Sequence, residues 1–208
     1  VIGLSGAHRT GKSTLARALA ESLGVPFVAT SASEVFSSMG LDPKADYPLE
    51  VRFLIQSVIL DTFTAQYESA SRESSVFVAD RTPLDLASYM LADVSRSALE
   101  GKNDVAQLIN AYVDECLKAT TRFFSEVYLV QPGIKVIEEK GKALGCPAYM
   151  EHLNTILIGL VYDERSMVSC YPVPREITNL KSRVDFVMET RDKLVEMQEL
   201  VSPYLWTH

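Results

Sequence analysis

Eight residues near the start of the chain, Gly6-Ala7-His8-Arg9-Thr10-Gly11-Lys12-Ser13, carry the spacing G-x-x-x-x-G-K-S. Two glycines at that separation let a backbone wrap closely around phosphates. Its N–H groups then point inward at the start of a helix, where partial positive charge gathers. A lysine adds a mobile cation for the β- and γ-phosphates, and a serine hydroxyl adds a ligand for Mg²⁺. The pattern is suited to binding a nucleoside triphosphate such as ATP, with Gly6, His8, Arg9, Thr10, Gly11, Lys12, Ser13 and Thr14 forming the cradle. A second group lies downstream, where the apolar run Val76-Phe77-Val78-Ala79 ends in Asp80. An acid in that place lies beside a phosphate loop and holds Mg²⁺ directly or through water, which makes Ser13 and Asp80 the candidate metal ligands. The alternative for Asp80 is a strand-end acid that caps the following turn.

These residues act together only if strands and helices position them. Val1 to Ser5 is a short apolar run suited to a buried parallel strand, and Thr14 to Gly24 has apolar residues at helical spacing with a glycine stop. Strand, glycine loop and helix are the context that turns a pattern into a site. Val25 to Thr30 reads as a second strand, and Ser31 and Ser33 are suited to cap a short helix through Glu34 to Met39. A loop with two prolines leads to a long helix over 49–72, whose stripe is Val51, Leu54, Ile55, Val58, Ile59 and Phe63. The third strand is 75–80, the fourth 126–130 and the fifth 167–172. Helices are expected over 84–91, 105–124, 149–163 and 183–200.

Apolar strands alternating with helices imply an α/β fold, three layers with a parallel sheet of about five strands and helices on both faces. Ligands in such folds gather outside the carboxyl ends of the strands. The phosphate loop, Thr30 to Glu34 and Asp80 to Asp85 all fall there. Residues 1–208 read as one domain, with 31–74 as a helical region and 133–165 as a mobile lid. Lys135, Lys140, Lys142 and Arg165 are the cations a closing lid could bring to a triphosphate, although Glu138 and Glu139 among them favour a solvated mixed-charge segment.

Composition narrows the classes. With 20 lysines and arginines against 27 acids the formal charge is −7, which disfavours nucleic acid as a partner without excluding a local basic face. Small nucleotides suit the balance better, since the phosphate loop supplies its own positive potential. Cys116, Cys146 and Cys170 are far apart and form no metal-binding or disulfide pattern, so a reducing cytoplasmic compartment is expected. No window is long and apolar enough to span a bilayer, and the first residues read as a strand, not a signal peptide. The chain opens on valine, so an initiator methionine or a tag is expected outside this numbering.

Asp80-Arg81-Thr82-Pro83-Leu84-Asp85, with Tyr89 after it, resembles the D-R-[ST]-P-L-D segment of the AAA_28-type, NadR-like P-loop kinases. It is also similar to the Asp-Arg motif of thymidylate kinases and the Glu-Arg-Ser motif of deoxynucleoside kinases. The opening Gly6 to Ala16 resembles the same group, which includes phage-encoded nucleotide kinases acting in a host cytoplasm. The resemblance implies phosphoryl transfer from ATP, with Mg²⁺, to a nucleoside, nucleotide or related ribosyl acceptor, and allows a homodimer. It makes Lys12, Asp80 and Arg81 the catalytic candidates, Arg81 steering the acceptor or transferring phosphate through a planar guanidinium. The alternative for Arg81 is a local ion pair with Asp85. Arg52 and Gln56, four apart, share one face of the helix that lines the acceptor pocket in deoxynucleoside kinases. With Glu34, Arg81 and Asp85 they are the candidate acceptor-binding residues. A solvated helix face is the equal alternative for Arg52 and Gln56.

The pattern breaks after the second strand. Deoxynucleoside kinases place a Glu-Pro there, and this chain has Ala29-Thr30-Ser31-Ala32-Ser33-Glu34, which leaves Glu34 and Asp80 both eligible as base. The expected function is phosphorylation of a nucleoside monophosphate, a deoxynucleotide in the first instance. The alternatives are a free nucleoside, a nicotinamide riboside or a modified base in DNA as acceptor, and a partner-regulated ATPase or switch.

Overall fold

The structure is a computed structural model that describes residues 1–43, 45–135 and 146–205, the side chains of 96, 98 and 198–205 excepted. Five strands, β1 (Ile2–Ser5), β2 (Phe27–Val28), β3 (Val78–Ala79), β4 (Glu126–Val130) and β5 (Ser169–Val173), pair in the order β2-β3-β1-β4-β5. Every pairing is parallel. Parallel neighbours need crossovers, and helices supply them. These are α1 (Lys12–Leu23), α2 (Ala32–Ser38), α3 (Leu49–Glu73), α4 (Pro83–Ala92), α5 (Arg96–Leu99), α6 (Asn103–Phe123), α7 (Pro147–Val161) and α8 (Leu180–Leu205).

The two-residue alternation of the strands separates two cores. Ile2, Leu4, Val78, Tyr128 and Val130 pack with Leu15 and Leu19 of α1 and Val187 of α8. On the opposite face Ala79, Val127 and Leu129 meet α3, α4, α6 and α7 through Phe63, Leu84, Met90, Leu117 and Leu157. The three-layer α/β arrangement is therefore as the alternation of elements implies. Tyr67 of α3, fully buried, lies 6.3 Å from Phe77, 5.5 Å from Phe123 and 5.1 Å from Phe124, ring centre to ring centre. Aromatic burial of this kind contributes on the order of 1.5–3 kcal/mol per side chain.

Boundaries differ where propensity meets sheet geometry. Apolar character carries the second and third strands over six residues each, yet β2 and β3 keep two apiece, because only Phe27 and Val28 find partners in β3 and only Val78 and Ala79 find them in β1 and β2. A short helix, α5, has no apolar period to announce it. The helix α8 begins at Leu180, three residues before the expected Arg183, which brings Arg183 into its first turn. Of the expected lid, 136–145, with Lys140 and Lys142, lies outside the described residues. Pro147–Val161 is a body helix that buries Met150, Leu153, Leu157 and Leu160.

Candidate active site

β1 stands at the middle of the sheet with β3 and β4 on either side, so its carboxyl end opens into the crevice between them. There the chain turns at Gly6, where a Cβ would come within 2.3 Å of the Val130 carbonyl oxygen. Only glycine lets the loop leave the strand that close to β4. Arg9 takes a left-handed backbone with φ 59°, and Gly11, at φ 85°, starts α1. Thr10 is buried, and its hydroxyl donates to the Ala7 carbonyl at 2.9 Å. It therefore shapes the loop, and only its backbone is left to a ligand. Ser13 and Thr14 are exposed at the first turn of α1.

Lys12 is folded over the loop, its Nζ donating to the carbonyls of Gly6 at 2.6 Å and Ala7 at 2.7 Å. Burial pulls its ammonium down to about 8; Asp85 and Asp80 oppose the shift and Arg81 adds to it. Both of its acceptors are carbonyls a triphosphate oxygen can replace, which fits a lysine held ready for phosphate.

Asp80 follows β3 and is nearly buried. Its Oδ1 accepts from the Thr30 backbone N–H at 3.0 Å and from the Thr30 hydroxyl at 2.9 Å. The end of β2 thus holds the acid in place, a role for Thr30 that no motif signals. Next in the chain, the Arg81 carbonyl accepts from the Tyr67 hydroxyl at 2.9 Å, and the Arg81 guanidinium lies over the Tyr89 ring, 5.9 Å from its centre. Arg81 is held above its ordinary range against the effect of burial, with Tyr89, Asp85 and Asp80 all favouring the cation.

Asp85 is on neither side of the reaction as an open group. It is fully buried, with Oδ1 accepting from the Gly6 N–H at 2.8 Å and Oδ2 from the Thr82 N–H at 3.1 Å. The second of these closes a capping box with Thr82 at the start of α4. Asp85 therefore ties the phosphate loop to α4, and that corrects its expected place among the acceptor contacts. Burial pushes its carboxyl up, while Lys12, Arg81 and the two N–H groups work the other way.

From Arg81 a row of rings leads outward. The Tyr89 hydroxyl is 3.4 Å from His8 Nδ1, and the His8 ring is 5.8 Å from that of Tyr149. Burial pushes the Tyr149 phenol up to about 12, with Asp93 and Tyr89 adding to the shift and Arg52 opposing it. Tyr89 and Tyr149 belong to the site through these contacts; Tyr149 has no sequence signal of its own. Arg52 is already engaged: NH1 pairs with Asp93 at 2.7 Å, NH2 with Asp46 at 2.8 Å, and Nε donates to the Tyr47 carbonyl at 2.9 Å. Gln56, one turn on, keeps a buried Oε1 that no donor meets among the described residues. Glu34 is exposed in the first turn of α2, which Ser31 caps. Arg165 pairs with Asp163 and Asp114, and so carries no free charge toward the loop.

Among the described residues no group of three or more His, Cys, Asp or Glu could hold a metal ion. Ser13 and Asp80 supply too few donors for an all-protein metal cage. They fit instead an ion of the Mg²⁺ kind, which keeps waters and shares its remaining positions with phosphate oxygens.

The profile of AAA_28, an AAA domain, matches residues 1–122, more than half of the chain. The chain belongs to the AAA_28 family. That match carries the phosphate loop, Asp80, Arg81 and the long α3. No curated protein matches this AAA_28 chain significantly. Its fold is that of a deoxyadenosine kinase from M. mycoides. The structure of that enzyme with bound dATP superposes with a TM-score of 0.65 at 18% identity, over 92% of this chain and 98% of that one. With dCMP and a flexible dCDP as bound products the same enzyme gives a TM-score of 0.62 at 16% identity, with the same coverage. Among the described residues of this AAA_28 protein no helix is long and apolar enough to cross a membrane.

Proposed function

We propose that this AAA_28 protein transfers the γ-phosphoryl group of ATP to the hydroxyl of a deoxynucleoside. The observation that carries the reading is the conjunction at one crevice of Lys12, bonded among the described residues to replaceable loop carbonyls, with Asp80 and Arg81 held at its edge. The likeness to a deoxyadenosine kinase supports the acceptor class. In the reaction the acceptor oxygen forms a bond to the γ-phosphorus as the bond to the β–γ bridging oxygen breaks. The hydroxyl proton goes to a carboxylate and ADP leaves. Catalysis of this kind is alignment and charge stabilisation.

Each residue has a defined part. The loop amides and Lys12 hold the donor phosphates. Arg81, its carbonyl held by Tyr67 and its guanidinium over the Tyr89 ring, stabilises the transferring group. Asp80 has one oxygen engaged by Thr30, and its other oxygen is the better candidate to take the proton, since exposed Glu34 lies out on α2. Ser13 would hold Mg²⁺ directly and Asp80 only through a metal-bound water, and the ion, when bound, neutralises phosphate charge. Gln56 would read the base edge, its unmet Oε1 accepting from an exocyclic amino group.

A second reading, a nucleoside monophosphate as acceptor, is the one the motifs by themselves favour. A monophosphate dianion wants more than one free cation, and Arg52 is spent on Asp46 and Asp93. That engagement moves the balance to the free nucleoside. The deciding experiment is acceptor-dependent ADP release with ATP and Mg²⁺ over a panel of nucleosides, deoxynucleosides, their monophosphates and DNA. Turnover with deoxynucleosides, lost in Lys12→Ala, is expected. Turnover with monophosphates alone would replace the first reading by the second, and slow hydrolysis indifferent to every acceptor would sink both in favour of a partner-regulated ATPase.

A further inference from the structure

Arg183 is a buried cation that meets no carboxylate among the described residues. Only 3% of it is exposed, and its guanidinium donates to two backbone carbonyls, from NH1 to Thr10 at 2.7 Å and from Nε to Ile177 at 2.6 Å. Among the described residues it forms no ion pair, and burial with no nearby charge to oppose it lowers its ordinarily high pKa. It also stands in the first turn of α8, where the helix dipole disfavours a positive charge. Burial without a counter-charge and an adverse dipole are both costs. The two carbonyl hydrogen bonds offset these costs in part, and one of them lies on the phosphate loop.

Where it touches matters. The Thr10 carbonyl and the Gly11 N–H belong to one planar peptide and point opposite ways. A donor fixed on the carbonyl from outside the loop therefore turns the Gly11 N–H inward and polarises it, since hydrogen bonds in series strengthen one another. Gly11, at φ 85°, leaves the room this needs: a Cβ there would lie 3.3 Å from Arg183 NH1 and 3.3 Å from Ile134 Cδ1. Through Ile177 the same guanidinium holds the segment between β5 and α8.

We propose that Arg183 is a positioning residue for triphosphate binding, clamping the Thr10–Gly11 peptide from behind so that its N–H is aimed and strengthened as a phosphate donor. The inference rests on the reading of the loop as a triphosphate site. It gives Arg183 an effect on the phosphates that is independent of the nucleobase.

The test uses the full chain and two ligands, ATP and inorganic tripolyphosphate, titrated against the native protein, Arg183→Met and Arg183→Lys. Alongside, the Gly11 amide is followed by NMR in protein labelled with ¹⁵N-glycine. Arg183→Met is expected to weaken both ligands alike, about tenfold, the loss of a charge-assisted hydrogen bond. Arg183→Lys, with one donor arm in place of a fork, recovers part of that. The downfield shift of the Gly11 amide proton on adding tripolyphosphate shrinks in the same order. A purely structural arginine would lower the melting temperature without that graded shift. If Arg183→Met fails to fold, Arg183→Lys carries the test, with an expected loss of about threefold and a reduced shift. Native-like binding of both ligands by the folded variants, or loss of ATP with tripolyphosphate retained, overturns the inference alone. A native protein that binds neither ligand overturns the triphosphate reading and this one with it.

Discussion

Burial brings the Lys12 ammonium to about 8, within a pH range where binding is readily measured. A triphosphate beside it favours the charged form, so its pKa rises on binding and the complex takes up protons. Between pH 8 and 9, ATP affinity should fall with rising pH, and calorimetry in buffers of different ionisation enthalpy should detect the uptake. Lys12→Met abolishes it. The same shift has an opposite consequence for stability without ligand. The folded value lies below the unfolded one near 10.5, so stability gains as pH rises from 8 toward that value, as the buried charge is relieved. Asp85 makes a complementary case. Asp85→Ala leaves the Gly6 and Thr82 N–H groups without acceptors, at a cost of about 2–4 kcal/mol, read as a lowered denaturant midpoint. Because Gly6 belongs to the phosphate loop, ATP binding should weaken in the protein that remains folded.

Among the elements, β1 and α4 are joined more tightly than any pattern in either segment suggests. Thr82, which caps α4, shares a 2.5 Å hydrogen bond with the Ser5 hydroxyl, and its Cγ2 occupies the space beside Gly3. A Cβ on Gly3 would come within 2.3 Å of that methyl and 2.8 Å of Phe124 Cδ1. Gly3→Ala should therefore destabilise by about 1–3 kcal/mol through overpacking. Thr82→Ser, which removes the methyl and keeps the hydroxyl cap, should recover part of the loss in a double-mutant cycle; simple additivity of the two would refute the contact. Apart from α5, the helices and strands themselves were legible, since their apolar periods and glycine stops are local. The two-residue length of β2 and β3 was not, because pairing partners set it and not propensity.

For the molecule as a whole, a ligand that binds only the folded state raises its stability by mass action. ATP with Mg²⁺ at about a hundred times its dissociation constant adds about 2.7 kcal/mol, roughly 5–10 °C in melting temperature for a chain of this size. Thermal melts should show the rise in the native protein and none in Lys12→Ala, whatever the acceptor proves to be. The net charge of −7 belongs to this scale as well. Mobility-shift titrations with duplex DNA at physiological salt should show no tight complex, and a strong one would expose a basic face that the sum conceals.

The phosphate loop was readable from residue types alone, because its function uses backbone amides, two glycines and a lysine consecutive in the chain. That Asp80 and Arg81 stand at a strand end was readable for a similar reason: a strand end is both a sequence feature and a place. The order β2-β3-β1-β4-β5, the buried link from Asp85 to Gly6, the ion pairs that occupy Arg52 and the guanidinium of Arg183 on Thr10 were decided only by the tertiary structure. Apart from the Arg52–Asp46 pair, six residues apart, each joins residues distant in the chain, where no spacing rule operates. Residue type states that a charge or a donor exists. What it meets, and therefore whether it is left for a substrate, depends on which elements pack against it.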